Sequence, residues 1–187
     1  SSGNDTYIFN VGDGQDTIYD YAGIDQIVFG AGITKANIQL ISDYANNQSL
    51  IIKVGTNGDQ ITLKSFFSNS GSNYKIESLK FADGSVLDLT TGLTLSATKT
   101  TGETLFGIYS NDILTGNIGA DTIYGNAGND TITGGKGNDI IDDTAYSSGN
   151  DTYIFNVGDG QDTITDYTGT DQIVFGAGIT KANIQLI

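Results

Sequence analysis

Histidine, cysteine, proline, methionine and tryptophan are all missing from this 187-residue chain. Without cysteine no disulfide can staple it, and without His or Cys a zinc or copper site has no ligands. The Cys–His and Ser–His arrangements of nucleophilic catalysis are excluded on the same ground, and no enzymatic activity is expected. Positive charge is scarce: 8 basic residues face 22 acidic ones, a formal net charge of −14. Phosphate backbones call for a basic footprint, so nucleic acid is not an expected partner. Gly12-Asp13-Gly14 and Gly158-Asp159-Gly160 lack the Lys-Ser/Thr that completes a phosphate loop. No apolar run approaches the length of a membrane span. No secretory signal is visible, and a chain that starts inside a repeat reads as a fragment.

What is present is glycine, 26 residues of it, and aspartate, since Glu77 and Glu103 are the only glutamates. Aspartate suits turns and metal loops, whereas glutamate suits helices. Such acidity would favour disorder. A 37% apolar fraction argues for a packed chain once the acid is neutralised. Residues 107–142 divide into four nonapeptides, GIYSNDILT, GNIGADTIY, GNAGNDTIT and GGKGNDIID. Asp112, Asp121, Asp130 and Asp139 stand at the sixth place, and Leu114, Ile123, Ile132 and Ile141 at the eighth. Places one to five are turn-formers. Places six to nine alternate polar and apolar, the period of a half-buried strand.

Two nonapeptides would make one coil. Units i and i+2 then stack about 4.8 Å apart, and their sixth-place aspartates become neighbours. Two carboxylates about 5 Å apart repel by roughly 1 kcal/mol in water and about 3 kcal/mol at an effective dielectric of 20. A hard cation that takes six to eight oxygens resolves the conflict, which points to calcium rather than magnesium. The expected pairs are Asp112 with Asp130 and Asp121 with Asp139. About five or six calcium ions would offset most of the net charge. A site absent from the unfolded chain couples binding to folding, so the calcium-free chain is expected to be loosely packed or unfolded.

The nonapeptides resemble the RTX, or haemolysin-type calcium-binding, repeat. The last three units fit closely; the first matches at Gly107, Asp112 and Leu114. The resemblance implies an all-β fold, a right-handed parallel β-roll with a β-rich capping segment. It also implies ligands. Carbonyls at places two and four of one turn join its sixth-place Asp, and the later turn adds its own Asp with carbonyls at places one and three. The first site would take Ile108, Ser110, Asp112, Gly125, Ala127 and Asp130. The second would take Asn117, Gly119, Asp121, Gly134, Lys136 and Asp139. Asn126, Gly128, Gly135 and Gly137 are the carbonyl positions of the next turns.

Residues 1–41 recur at 147–187 with changes only at Tyr19/Thr165, Ala22/Thr168 and Ile24/Thr170. A period of 146 residues suggests tandem copies in a larger protein. Residues 1–29 read as the tail of a roll, with Asp5, Asp16 and Asp25 continuing the ladder. Asp5 would pair with Asp25, and Asp16 with a preceding copy. Residues 30–95 read as the cap, with strands at 38–41, 50–54 and 60–63 and a short turn or helical piece at 65–67. A hairpin is expected over 76–89 about Ala82-Asp83-Gly84. The block GDQITLKSFF…YKIESLKFADGSVLDL resembles the haemolysin-type calcium-binding-related segment found between such arrays. Residues 96–106 read as a connection with a degenerate first repeat carrying Glu103. Residues 107–175 are the calcium-binding roll, and 176–187 start a second cap. After Asp142 the register slips, and Asp143–Ala145 is expected to loop out. The later pairs would be Asp130 with Asp151, Asp139 with Asp162, and Asp151 with Asp171. Tyr7, Tyr153, Phe9 and Phe155 are expected in the core of the wider coils.

The function read from these residues is calcium binding in the service of structure. The resemblance implies a bacterial protein exported by type I secretion and folded by calcium outside the cell. Alternatives are a calcium-dependent appendage of a secreted enzyme or cytolysin, or a glycan-binding or adhesive face. Thr122, Thr131, Thr152 and Thr163 at the seventh place form an outward ladder whose plain explanation is β-propensity. Open strand edges pair readily, so head-to-tail self-association in calcium is a further expected partnership.

Overall fold

The computed structural model describes residues 3–43, 48–68, 76–144 and 148–186, and the structural statements below concern these. The chain divides into two compact units, Ser1–Thr91 and Gly92–Ile187. Both are built of short strands joined by glycine- and aspartate-rich turns. Apart from single 3-10 turns at Lys35–Asn37 and Lys181–Asn183, the described regular structure is all β. No helix among the described residues is long and apolar enough to cross a membrane.

The first unit starts with β1 (Thr6–Phe9), β2 (Gln15–Ile18) and β3 (Gln26–Phe29). The cap follows as β4 (Ile38–Asp43), β5 (Ser49–Val54), β6 (Asp59–Leu63), β7 (Ser78–Lys80) and β8 (Val86–Asp88). β1 stacks in parallel on β3, with Tyr7 opposite Ile27 and Phe9 opposite Phe29. β7 continues that parallel sheet and β8 turns back against it. The second sheet runs β2-β6-β5-β4. β6 meets β2 in parallel, and the hairpins behind it are antiparallel. The cap therefore takes over both sheets of the coil and then leaves the parallel pattern. The turn between β7 and β8 is the expected one. Gly84 holds φ +84°, a conformation that disfavours side chains. The Asp83 carboxylate accepts the Ser85 N–H at 2.8 Å.

The second unit is a parallel roll. One sheet is β10 (Thr104–Phe106), β12 (Thr122–Tyr124), β14 (Ile140–Asp143) and β16 (Thr163–Asp166). The other is β9 (Thr94–Ser96), β11 (Ile113–Thr115), β13 (Thr131–Thr133), β15 (Thr152–Phe155) and β17 (Gln172–Phe175). Units i and i+2 stack as the spacing requires: Leu114 lies opposite Ile132 and Ile123 opposite Ile141. A three-residue strand presents one inward side chain, so the core is a single column on each sheet. Leu95, Leu114, Ile132 and Tyr153 form one column; Leu105, Ile123 and Ile141 form the other, and all are buried. The stack starts at β9, which lies where the sequence alone reads the end of the cap. Asp143, expected to loop out, is instead the buried last residue of β14. Ala145 lies outside the described residues.

The 41-residue duplication places one sequence in two settings. In the first unit Ile27 is 0% and Phe29 2% exposed, covered by Leu79 and by Phe81, whose ring stacks 5.3 Å from Phe29. Their counterparts Ile173 and Phe175 on β17 are 51% and 41% exposed. Full burial of such a side chain contributes roughly 1.5–3 kcal/mol. We expect Ile27→Ala to cost about 2–4 kcal/mol and Ile173→Ala less than about 1 kcal/mol, measured by urea unfolding in saturating calcium. Equal losses would mean that the cap does not cover the first unit in solution.

Candidate metal centre

The turn at the head of each strand holds the ladder aspartates by a repeated hydrogen bond. Each backbone N–H on one coil donates to Oδ1 of the aspartate on the next. Asp112 N–H reaches Asp130 at 2.7 Å, Asp121 reaches Asp139 at 2.8 Å, and Asp130 reaches Asp151 at 2.7 Å. Asp139 reaches Asp162 at 3.0 Å, Asp151 reaches Asp171 at 2.9 Å, and Asp5 reaches Asp25 at 2.7 Å. The sequence places these pairs at spacings of 18 to 23 residues, and the structure brings each pair together. Asp112, Asp121, Asp130, Asp139, Asp151 and Asp25 are buried; Asp162 and Asp5 are half-buried. Asp171 is exposed on the last coil. Asp16 is exposed on β2, opposite Ile61 of the cap strand β6.

The second carboxylate oxygen distinguishes the sites. Oδ2 of Asp112 accepts the Ile108 N–H at 2.6 Å, and Oδ2 of Asp121 accepts the Asn117 N–H at 3.0 Å. Oδ2 of Asp25, Asp130, Asp139 and Asp151 is buried with no hydrogen-bond partner. A buried anionic oxygen without a partner is costly. A cation supplies the missing partner, and a donor set made wholly of oxygen suits a hard one. The turn carbonyls lie close by. A Cβ at Gly116 would stand 1.8 Å from the Gly134 carbonyl oxygen, and one at Gly107 would stand 2.4 Å from that of Gly125. Only glycine fits there, which explains the first place of the repeat. The Lys136 N–H donates to the Asn117 carbonyl at 2.7 Å, and the Gly119 N–H to the Lys136 carbonyl at 2.8 Å. Each of these carbonyls keeps a second lone pair for an ion. Gly119, Gly128, Gly135, Gly137 and Asn126 hold positive φ in the turns. Ser110 and Ala127 lie half-buried in the same turns. These residues therefore fit a chain of calcium sites between stacked turns.

Two glutamates join the ladder: Glu77, which the sequence alone left aside, and Glu103, which it placed in a degenerate first repeat. The Asp25 N–H donates to Glu77 Oε2 at 2.6 Å, so the cap supplies the carboxylate that ends the first unit's ladder. Glu103 donates its own N–H to Asp121 Oδ1 at 2.6 Å. Its carboxylate turns instead to the backbone N–H groups of Thr98 and Lys99 and to Lys99 Nζ at 3.4 Å. The side chain thus ties down the segment before β10 and is not aimed at the turn. Glu77 had no legible signal, because it lies 52 residues from Asp25 and outside the nonapeptide pattern.

Burial pushes Asp130 up to about 7, opposed by the Asp112 N–H and reinforced by the charge of Asp151. Burial likewise raises Asp139 and Asp162. Asp143 and Asp151 are raised together, again by burial first.

Comparison with known proteins agrees with this geometry. Residues 106–141 match the RTX calcium-binding nonapeptide repeat (4 copies), and residues 50–91 match the haemolysin-type calcium binding protein related domain. The chain is 36% identical over 120 residues to the iron-regulated protein FrpA of Neisseria meningitidis serogroup C. That alignment covers 61% of this chain and 10% of the relative, so the chain spans about a tenth of its length.

The raised values set a pH dependence. An acid whose folded pKa lies above its unfolded value stabilises the fold below the unfolded value, and that contribution is lost as pH rises through the folded one. For Asp130 the window runs from about 4 to about 7. The calcium-free chain should therefore hold more β-structure at about pH 5 than at about pH 8, followed by circular dichroism in chelator. Calcium competes with these protons, so its apparent affinity should rise roughly tenfold or more over the same interval, with proton release seen by calorimetry in buffers of different ionisation enthalpy. Affinity independent of pH would show that the raised carboxyls do not bind the ion.

Proposed function

From the premise that the chain carries RTX calcium-binding repeats and the related haemolysin-type segment, we propose that it is a non-catalytic structural module of a secreted bacterial protein that folds when it meets calcium outside the cell. The observation that carries this reading is the buried ladder with its unpartnered Oδ2 atoms at Asp25, Asp130, Asp139 and Asp151. Before calcium arrives, a ladder of stacked carboxylates repels itself and disfavours the roll. Low calcium inside the cell would keep the chain extended for export, and higher calcium outside would close it. The ligands would be the ladder pairs Asp112–Asp130, Asp121–Asp139, Asp130–Asp151, Asp139–Asp162, Asp151–Asp171 and Asp5–Asp25, with carbonyls of the intervening turns. The ion supplies charge neutralisation and oxygen coordination; the chain supplies the glycine turns that bring the oxygens together. Whether the parent carries an enzyme or cytolysin domain beside this module is an alternative that the parent's full sequence decides.

A calcium titration followed by far-UV circular dichroism tests the reading. We expect a cooperative coil-to-β transition with calcium and none with equimolar magnesium. Replacing both Asp121 and Asp139 with Asn should raise the calcium midpoint roughly tenfold or more. A chain already β-rich in chelator and unchanged by calcium would overturn it.

The uncovered β17 supports a second reading, head-to-tail association of this chain in calcium. Ile173, Val174 and Phe175 expose on β17 what the cap covers on β3, and an open parallel edge is a template for another strand. Light scattering in saturating calcium should show mass rising with protein concentration, and Ile173→Lys should abolish the rise. A strictly monomeric mass throughout would exclude it.

A further inference from the structure

β14 differs from the two strands that precede it in its sheet. β10 and β12 end after one inward residue, and the next inward position is glycine, Gly107 and Gly125. β14 runs on by one residue, so after inward Ile141 and half-buried Asp142 the alternation brings Asp143 inside. Asp143 pairs in register with Asp166 of β16. It stands two residues beyond the core column, where alternation calls for glycine or an apolar side chain. Yet it is a carboxylate of 0% exposure.

Its neighbours are ladder residues from the other sheet. Carboxylate oxygens of Asp130, Asp143 and Asp151 lie within 4.8 Å of one another, and all three residues are buried. Four oxygens of this cluster have no hydrogen-bond donor: both of Asp143, Oδ2 of Asp130 and Oδ2 of Asp151. The related position on the next coil is treated differently. Asp166 Oδ2 accepts the Tyr153 hydroxyl at 2.7 Å. In the first unit Asp20 Oδ2 likewise accepts the Tyr7 hydroxyl at 2.5 Å. Tyr153 stands in register with Ile132, so the coil holding Asp143 has isoleucine where those coils have the tyrosine. Asp143 has no hydrogen-bond donor among the described residues.

We propose that Asp130, Asp143 and Asp151 form a three-carboxylate calcium site in which Asp143, from the opposite sheet, is a third anionic ligand beside the ladder pair. It rests on the reading of the roll as calcium-bound and adds to it a ligand outside the nonapeptide pattern. Two ladder carboxylates balance one divalent ion; a third makes the site net anionic and all-oxygen, which favours a doubly charged hard cation over potassium or sodium. It also spans the roll, since its ligands come from β14 on one sheet and from the turns before β13 and β15 on the other.

The test counts ions. Equilibrium dialysis of the whole chain with calcium gives the wild-type stoichiometry, and Asp143→Asn is expected to lose one ion or weaken one site by about tenfold or more. Asp142→Asn, a half-buried neighbour, should retain the full count. Equal stoichiometry and affinity in Asp143→Asn and wild type would overturn the three-carboxylate site and leave the roll intact; Asp143 would then be a neutral acid sharing a proton with Asp151. A wild type that binds no calcium would overturn the roll reading itself. Should Asp143→Asn fail to fold, crystals of the wild type grown in calcium decide: an ion bonded to Asp143 supports the site, and Asp143 bonded only to Asp151 refutes it.

Discussion

The fold depends on a backbone N–H of one coil donating to an aspartate Oδ1 of the next. That bond, repeated from Asp5 to Asp25, from Asp112 through to Asp171 and from Asp121 through to Asp162, ties each coil to the next along both sheets of the roll. It also creates the main liability. Except at exposed Asp171 on the last coil, each bond draws a carboxylate at least partly out of water beside another of the same sign, and a charge so placed is expensive unless paired. The rest of the chain offers little to offset that cost. Strands of three residues bury one side chain each, and the turns between them are rich in glycine, whose ordering carries the largest entropic loss. On the proposed reading, a bound cation supplies in the roll what a larger apolar core supplies elsewhere. The missing cysteines and the thin apolar columns are consistent with that substitution.

The cap works by different physics. β4, β5 and β6 form an antiparallel meander with Leu50, Ile52, Val54, Ile61 and Leu63 nearly inaccessible. Phe66 and Phe81 add large buried rings. This part of the chain has a conventional apolar interior and does not depend on stacked carboxylates. It still completes the ladder, because Glu77 accepts the Asp25 N–H where another aspartate coil would otherwise stand. Asp59 does the same for the glycine turn, accepting Gly12 N–H at 2.7 Å and Gly14 N–H at 3.1 Å. The aspartate ladder and the apolar cap thus meet at shared backbone donors, so the coil does not end on unpaired N–H groups.

How much of this could be read from the residues follows from range and period. The nonapeptide register is legible because its period is strict, and the period alone places Leu114 on Ile132 and Asp112 beside Asp130. The Asp83-Gly84 hairpin was legible because its signal is local. Glu77 was not, since its partner Asp25 lies 52 residues away and the Glu falls on no repeat. The start of the roll at β9 was obscured by a Thr-rich stretch whose strand, Thr94–Ser96, carries a single inward leucine. Asp143 was misread for a related reason. Three consecutive acids and alcohols, Asp142-Asp143-Thr144, look like turn chemistry. Strand alternation overrode that local preference because Ile141 fixes which way residue 143 must face.

The place two residues beyond the core column explains why the coils differ in width. In the nine-residue units it is glycine, and the space a Cβ would take is already filled, by the carbonyl of the next coil at Gly107 and Gly116 and by aspartate carboxylates at Gly125 and Gly134. On β14, β15, β16 and β17 it carries a side chain. On the sheet of β15 and β17 that side chain is phenylalanine, Phe155 and Phe175, whose rings meet edge to face at 6.4 Å. On the sheet of β14 and β16 it is aspartate, Asp143 and Asp166. A widened coil has more interior to fill, and this chain fills one side with rings and the other with acid. An apolar residue at 143 would have met the demands of packing alone. The carboxylate there fits the proposed three-carboxylate site, in which the interior of the roll also holds positive charge.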